Sequence, residues 1–139
     1  MSADRISLTV PARPEYAKTV RMTASALVSR TGLAYDEVDD VRIAAEEAFV
    51  YACDHTDGPD IALTFTIDAE EFAIRVDLGD AARVSDEEGE RRTAYATFIL
   101  QSVCDRFVMA SDERGAHLTV VKVLPESVDE PVEFEHADG

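Results

Sequence analysis

The sequence predicts an α+β fold in which helices cover one face of a mostly antiparallel β-sheet. Three observations lead to this prediction. Apolar and polar residues alternate in short segments, as they do in half-buried strands. Apolar residues recur every three to four positions in longer segments, as they do in amphipathic helices. The segments follow one another in the order β-α-α-β-β-α-β-β, with no internal repeat and no sign of a second domain.

The N-terminal part is predicted to form one strand and two helices. Residues 7–10 alternate and are followed by Pro11, which indicates a short opening strand. A helical segment begins at Pro14 and ends at Gly32, and a second begins near Asp36, where a negative charge favours a helix N-terminus. Small residues in the apolar stripe of the second helix permit close packing. This stripe consists of Val38, Val41, Ala45, Ala48 and Ala52.

The middle of the chain is predicted to form a hairpin, a loop and a third helix. Residues 61–67 and 72–76 alternate like strands and are separated by a polar turn. The stretch 80–92 is polar and holds five acidic residues, so it is predicted to be a loop. Thr93 is then expected to cap a helix that ends at about Cys104, because its hydroxyl can accept a hydrogen bond from a free helical amide.

The last elements are two strands and a tail. Residues 106–110 and 117–124 are predicted strands, joined by a turn that contains Gly115. We therefore expect one domain over residues 1–124. Residues 125–139 hold six acidic residues and no Lys or Arg, so they are predicted to be a disordered acidic tail.

The charge balance restricts the class of partner. The chain carries 29 acidic and 13 basic residues, which gives a formal net charge of −16. Such a surface repels phosphate backbones and argues against direct binding to nucleic acid. It suits a basic partner protein, because opposite potentials steer the encounter of two proteins. Solubility, or adaptation to a high-salt cytoplasm, explains the same charge equally well, so both interpretations stay open.

The sequence gives no indication of a membrane or metal site. It has no run of about 18 apolar residues, and its N-terminus lacks a basic region followed by an apolar core. We therefore expect a cytoplasmic protein without a membrane partner. Cys53 and Cys104 have no C-x-x-C partner and are expected to be reduced, buried thiols. The histidines lack metal-ligand spacing, so no metal site is predicted.

The segment 40–55 is the most informative one in the chain. Its pattern is typical of a helix with one apolar face and two adjacent carboxylates, Glu46 and Glu47, which by themselves usually belong to a solvated face. The segment nevertheless resembles the N-box helix of the anti-sigma factor serine kinases, the RsbW and SpoIIAB group of the GHKL ATPases. Glu47 and His55 match the family's Glu and His, and Tyr51 stands where the family has an Asn.

The resemblance extends over roughly residues 6–124. Segments 10–16, 20–23, 29–32 and 35–44 follow the pattern of the anti-sigma group, with the same spacing between them. The resemblance implies a GHKL (Bergerat) ATPase-like sandwich, whose element order agrees with the order predicted above.

In the family, the matching positions form a nucleotide site. Glu47 corresponds to the general base that deprotonates the hydroxyl attacking the γ-phosphate of ATP. Tyr51 replaces the Asn that helps to hold Mg²⁺, and its ring is expected to crowd the metal and phosphates or to fill the vacated pocket. Asp77 and Gly79 match an Asp-x-Gly in which the carboxylate reads adenine and the glycine lets the backbone approach the base.

The phosphate-binding part of this implied site is altered. The family's Gly-x-Gly at the start of the last helix, whose bare amides cradle phosphate, corresponds to Ala94 and Ala96. The acidic stretch 86–90 stands where the ATP lid is expected and would repel a triphosphate. His117 stands where the family commonly has Thr. We therefore expect a vestigial site with no cofactor, in which ATP and Mg²⁺ bind only if these residues still function.

Arg21 is the predicted partner-binding residue. It aligns with a first-helix arginine that contacts both the sigma factor and its antagonist in family members. On an acidic protein, one guanidinium can form bidentate contacts with a partner carboxylate. Lys18, one turn earlier, is a weaker candidate. An ordinary solvated arginine is the open alternative.

The resemblance implies an anti-sigma factor that sequesters an alternative sigma factor and is countered by a STAS-type anti-anti-sigma protein. It also implies a homodimer. Because the altered positions mainly serve Mg²⁺ and phosphate, we expect partner switching by competition, without ATP-dependent kinase activity. Two alternatives remain. One is an active serine-protein kinase that phosphorylates the anti-anti-sigma factor with Glu47 as base, and the other is a pseudokinase binding module.

Overall fold

Five strands form one sheet in the computed structural model, which describes residues 3–79 and 87–125. The strands are β1 (Asp4–Pro11), β2 (Asp60–Ile67), β3 (Glu71–Gly79), β4 (Arg106–Asp112) and β5 (Gly115–Val123). They lie in the order β1-β2-β3-β5-β4 across the sheet. Every neighbouring pair is antiparallel, which confirms the predicted kind of sheet.

Three helices pack on this sheet. They are α1 (Ala17–Val28), α2 (Tyr35–His55) and α3 (Glu87–Val103), and a short 3₁₀ turn at Pro14–Tyr16 precedes α1. The α+β class and the order of elements are therefore the predicted ones. The first helix is shorter than expected because its first residues form the 3₁₀ turn and residues 29–34 form the turn into α2.

The structure corrects the predicted start of the third helix. Residues 87–92, which were expected to belong to a loop, form the first turns of α3, so Thr93 lies inside the helix and is not its N-cap. Glutamates in the first turn suit this position, because the positive end of the helix dipole stabilises carboxylates. The acidic composition that suggested a loop is therefore also that of a helix N-terminus.

Two predicted segments cannot be compared with the described residues. The rest of the predicted loop, residues 80–86 with Asp86, lies outside them, as does the predicted acidic tail from residue 126 onward. The strands extend further than predicted, since β1 begins at Asp4 and β3 continues to Gly79.

The hairpin turns are fixed by a side chain and a glycine. In the β2–β3 turn, Asp68 Oδ1 accepts hydrogen bonds from the amides of Glu70 and Glu71 at 2.8 and 2.9 Å. These backbone bonds hold the pKa of Asp68 below its usual value. In the β4–β5 turn, Gly115 has a φ of 107°, which residues with a Cβ rarely adopt.

The core lies between the sheet and the helices. Every second residue of β2 and β3 faces it, namely Ile61, Leu63, Phe65, Phe72, Ile74 and Val76. Of the predicted stripe of α2, Val41, Ala45, Ala48 and Ala52 are buried, and Val38 is partly buried. Ala44, which was not predicted, is buried with them. Because alanine side chains are small, α2 packs closely against both the sheet and its neighbouring helices.

One lysine and two cysteines lie at the margin of the core. Lys122 of β5 points toward α2, where its Nζ lies 3.7 Å from Asp40 Oδ2. Cys53 and Cys104 are free and partly buried. Burial raises the pKa of Cys104 to about 12 and that of Cys53 to about 11, which favours the protonated thiol at neutral pH.

The second face of the sheet, called the open face below, is covered by none of the described helices. Its side chains are mainly small or polar, and they include Thr64, Thr66, Ala73, Arg75, Val108 and Thr119. Among residues 3–79 and 87–125, no helix is both long enough and apolar enough to cross a membrane.

Replacing Phe65 by alanine tests the contribution of this core. Phe65 is fully buried and stacks against Phe72 with ring centroids 6.2 Å apart. Truncating a buried phenylalanine leaves a cavity and costs about 3–5 kcal/mol. We expect Phe65→Ala to lower the free energy of unfolding by that amount in urea titrations. Val108→Ala, at a side chain that is 51% exposed on the open face, is expected to change it by less than about 0.5 kcal/mol. Equal losses in both variants would contradict this assignment of the core face.

Candidate functional site

Three polar residues follow one another along a single face of α2. Glu47, Tyr51 and His55 are four residues apart, which makes them neighbours on a helix. The His55 ring stacks on the Tyr51 ring with centroids 4.0 Å apart, and His55 Nδ1 lies 2.9 Å from the Tyr51 carbonyl oxygen. His55 therefore closes the C-terminal end of α2 and supports the Tyr51 ring.

Tyr51 connects α2 to α3. Its side chain is only 7% exposed, and its hydroxyl lies 3.1 Å from the hydroxyl of Thr93. On the same two helices, Arg92 Nε lies 3.6 Å from Asp54 Oδ2. The first half of α3 is thus held directly against the second half of α2. Local sequence patterns did not show this contact, because Tyr51 and Thr93 are far apart in the chain.

Ala94 and Ala96 both lie inside α3. Ala96 is buried in the core, whereas Ala94 is exposed, because residues two apart point in nearly opposite directions on a helix. The helix begins at Glu87, so the amides of both alanines lie beyond the first turn and donate to carbonyls four residues earlier. These amides are therefore used by the helix itself.

Glu47 is half-buried beside other carboxylates. Burial raises its pKa above the usual value, and the charges of Glu46 and Asp54 raise it further. A carboxylate of raised pKa is a stronger proton acceptor than an ordinary glutamate, which is the property that a general base needs.

Asp77 and Gly79 lie at the end of β3, away from Glu47 and Tyr51. Val76 is buried on the covered face, so the preceding and following residues, Arg75 and Asp77, point to the open face. Arg75 Nε donates a hydrogen bond to Asp77 Oδ1 at 3.0 Å. Asp77 therefore lies on the open face of the sheet, opposite the face on which α2 packs.

A small polar network surrounds this aspartate. Arg75 Nη2 also donates to Asp112 Oδ2 at 3.4 Å, and His117 Nδ1 lies 3.8 Å from the same oxygen. His117 pairs with Asp77 in the β3–β5 register. The role of Arg75 was missed, although its position two residues before Asp77 in a strand already placed both side chains on one face.

A pocket of about 270 Å³ adjoins the end of β3. Asp77, Leu78 and Gly79 line it from one side, and residues of the α2–β2 connection line it from the other, among them Thr56 and Asp60. Gly79 has a φ of 94° at a register shift in the β3–β5 pairing, so glycine is required there for its backbone conformation. Within residues 3–79 and 87–125, no three His, Cys, Asp or Glu side chains are grouped so that they could hold a metal ion.

Arg21 belongs to α1 and contacts α2 through Glu46. Its Nη1 donates a hydrogen bond of 2.7 Å to Glu46 Oε1, and both side chains are partly exposed. This ion pair joins α1 to α2. Glu46 was predicted only as part of a solvated face, so its contact with Arg21 is a finding of the structure.

Comparison with known proteins gives consistent results. A model of the histidine kinase-like ATPase domain matches residues 10–132. The serine-protein kinase RsbW of Bacillus pumilus (strain SAFR-032) is 36% identical over 143 residues, which cover 88% of each chain. The protein of the same name from Listeria monocytogenes serotype 4a (strain HCC23) is 26% identical over 141 residues, which cover 88% of this chain and 89% of the relative.

A shorter match has higher identity. The serine-protein kinase RsbW of Bacillus subtilis (strain 168) is 46% identical over 54 residues, which are 39% of this chain and 34% of the relative. The first two matches extend over most of both chains, whereas this one is confined to about a third of the relative. The GHKL-like fold inferred from the N-box helix is thereby confirmed.

Removing the Tyr51 hydroxyl tests the contact between α2 and α3. Tyr51→Phe keeps the ring but leaves the Thr93 hydroxyl without this partner, so we expect a loss of about 0.5–1.5 kcal/mol in the free energy of unfolding. Tyr95→Phe is the matched control, because Tyr95 is 62% exposed on α3, and it should change stability by less than about 0.5 kcal/mol. Urea titrations of the three proteins measure both effects. No loss in Tyr51→Phe would show that the hydroxyl contact does not hold the helices together.

Glutamine substitutions at Glu46 and Glu47 test the raised pKa of the Glu47 carboxyl. A carboxyl whose pKa is raised by folding stabilises the fold below its ordinary value of 4.5, and this contribution is lost as the pH rises through the raised pKa. We therefore expect Glu47→Gln to raise the urea midpoint at pH 7 and to leave it unchanged near pH 4. Glu46→Gln breaks the ion pair with Arg21 and should give no gain at pH 7. An equal gain in both variants would contradict a specific shift at Glu47.

Proposed function

The chain belongs to the RsbW-like branch of the histidine kinase-like ATPase domain family, and on this premise we propose that it is an anti-sigma factor. In this proposal the protein binds an alternative sigma factor and releases it to a STAS-domain anti-anti-sigma protein. The two partners compete for the same surface, so the switch needs no phosphorylation. The relatives are named serine-protein kinases, and the proposed loss of that activity is what distinguishes this chain from them.

The position of Tyr51 is the observation that carries the ATP-independent part of the proposal. At the position where the family has an Mg²⁺-binding Asn, this chain buries an aromatic ring between α2 and α3. A buried ring excludes the metal and its water ligands, which Mg²⁺ gives up reluctantly. The ion pair of Arg92 with Asp54 supports the same arrangement, because it holds α3 in place without a ligand.

Two further features support this reading. The amides of Ala94 and Ala96 are used within α3, so they are not free to cradle a phosphate group. Asp77 lies on the open face, where its carboxylate is paired with the guanidinium of Arg75. The residues present therefore do not fit Mg²⁺-ATP in the way that the family pattern implies, and we propose no reaction step through it.

Arg21 is the proposed contact for both partners. It is one of 13 basic residues on a chain with 29 acidic ones, and its guanidinium is partly exposed on α1. A guanidinium there can receive a carboxylate from either partner, which makes binding of the two mutually exclusive. Homodimer formation through α1 and the edge of the sheet is part of the proposal. The outer side of β1 has no strand neighbour among the described residues.

A second candidate function is favoured by Glu47. This residue keeps the family's general-base position, and burial raises the pKa of its carboxyl. Those are the properties that an active serine-protein kinase would need to deprotonate a serine hydroxyl. Such a kinase would also have to bind Mg²⁺-ATP, so nucleotide binding separates the two candidates.

Calorimetric titration with ATP and ADP in the presence of Mg²⁺ tests the first candidate. Because Tyr51 is buried at the metal position, we expect no binding up to about 1 mM nucleotide, which corresponds to less than about 4 kcal/mol of binding free energy. We also expect no transfer of labelled phosphate to STAS-domain proteins. Micromolar, Mg²⁺-dependent binding that supports phosphate transfer, and loss of transfer in Glu47→Gln, would establish the kinase instead.

Partner capture tests the anti-sigma part. The purified protein should retain one of the sigma factors of the source organism when these are offered individually, with or without ATP. A STAS-domain protein should displace that sigma factor. If STAS-domain proteins bind and none of the sigma factors does, the protein is a binding module and the anti-sigma assignment is wrong.

A further inference from the structure

The surface around Arg21 already contains a carboxylate. Glu46 Oε1 accepts a hydrogen bond of 2.7 Å from Arg21 Nη1, across the interface between α1 and α2. A partner carboxylate that approaches Arg21 therefore meets a guanidinium that is engaged within the same molecule. The inference that follows rests on the proposed function, because it concerns how that partner site works.

We propose that Glu46 occupies, in the free protein, the place that a partner carboxylate takes in the complex. Binding is then an exchange of one carboxylate for another on Arg21. The partner recognised here is a protein segment that presents an Asp or Glu side chain, and Glu46 keeps Arg21 occupied until such a segment arrives.

The geometry makes the exchange feasible. The bond uses one nitrogen of Arg21 and one oxygen of Glu46, whereas a guanidinium can bind a carboxylate through two parallel hydrogen bonds. A partner that approaches from solvent can reach this two-bond arrangement. Both side chains are partly exposed, which keeps the internal pair weak enough to be displaced.

The exchange also has a cost, and this cost favours particular partners. When Arg21 turns to the partner, the Glu46 carboxylate loses its cation, while the Glu47 carboxylate, whose pKa the charge of Glu46 helps to raise, remains its neighbour. A single weak carboxylate contact does not offset that repulsion. A partner must therefore add further contacts on the same surface.

Apolar side chains next to the ion pair can supply these contacts. Met22 follows Arg21 in α1 and is 49% exposed, and Ile43 lies about one turn before Glu46 in α2 and is 45% exposed. Met22 also lines a shallow depression along α1, together with Lys18 and Glu15. The preferred partner segment therefore carries a carboxylate flanked by apolar side chains.

Affinity measurements on three variants test the exchange. The probe is the purified sigma factor identified by capture, and surface plasmon resonance gives its Kd. Removing the internal competitor in Glu46→Gln should tighten binding about two- to fivefold, which is the range expected for a partly exposed ion pair. Arg21→Ala should weaken binding, and in the double variant Glu46→Gln should no longer have any effect.

Asp39→Asn is the matched control. It removes one negative charge from the same helix and breaks an ion pair with Arg42, in which the two atoms are 3.0 Å apart, but it does not touch Arg21. Its Kd should equal that of the unchanged protein. A gain in Asp39→Asn equal to that in Glu46→Gln would attribute the effect to net charge and overturn the exchange.

The outcomes separate the exchange from the proposed function. If Arg21→Ala weakens binding and Glu46→Gln does not tighten it, the exchange is wrong, but Arg21 remains supported as the partner contact. If Arg21→Ala leaves the Kd unchanged, Arg21 is not the partner contact, and both the exchange and the proposed partner site at Arg21 are wrong. If the unchanged protein binds no sigma factor, the proposed function is wrong and the exchange falls with it.

Discussion

The close packing of α2 is the constraint on which the rest of the structure depends. Its buried face is made mostly of alanines, so the helix backbone lies near the sheet and its side chains reach neighbours on both sides. Lys122 of β5 meets α2 at Asp40, Arg21 of α1 meets it at Glu46, and α3 meets it at Tyr51. A bulkier residue in the alanine stripe would change all these contacts together, because a packed core has no space to absorb it.

The same helix separates two kinds of chemistry. Glu47 and Tyr51 lie on the more buried side of α2. Burial raises the pKa of the Glu47 carboxyl there, and the Tyr51 ring is almost fully buried. Glu46, the neighbour of Glu47, is turned toward α1 and the surface, where it bonds Arg21. Adjacent residues on a helix point about 100° apart, so one turn of α2 holds both Glu47, which resembles the family's general base, and Glu46, which belongs to the proposed partner surface.

Sequence patterns predicted those parts of the fold that depend on neighbouring residues within one strand or helix. The alternation in β2 and β3 and the alanine stripe of α2 each follow from the period of one element, and the structure confirms them. The start of α3 was missed because acidic residues suit both a loop and a helix N-terminus. The contacts of Tyr51 with Thr93 and of Arg21 with Glu46 join distant parts of the chain, and no local pattern encodes them. The roles assigned to Glu47, Asp77 and Arg21 stay predictions.

The early start of α3 bears on how the proposed loss of ATP binding could ever be reversed. Restoring an asparagine at position 51 would supply one ligand, but the amides of Ala94 and Ala96 would remain committed to the helix. Freeing them requires the first two turns of α3 to unwind, so a substitution at position 51 alone would not produce a phosphate site.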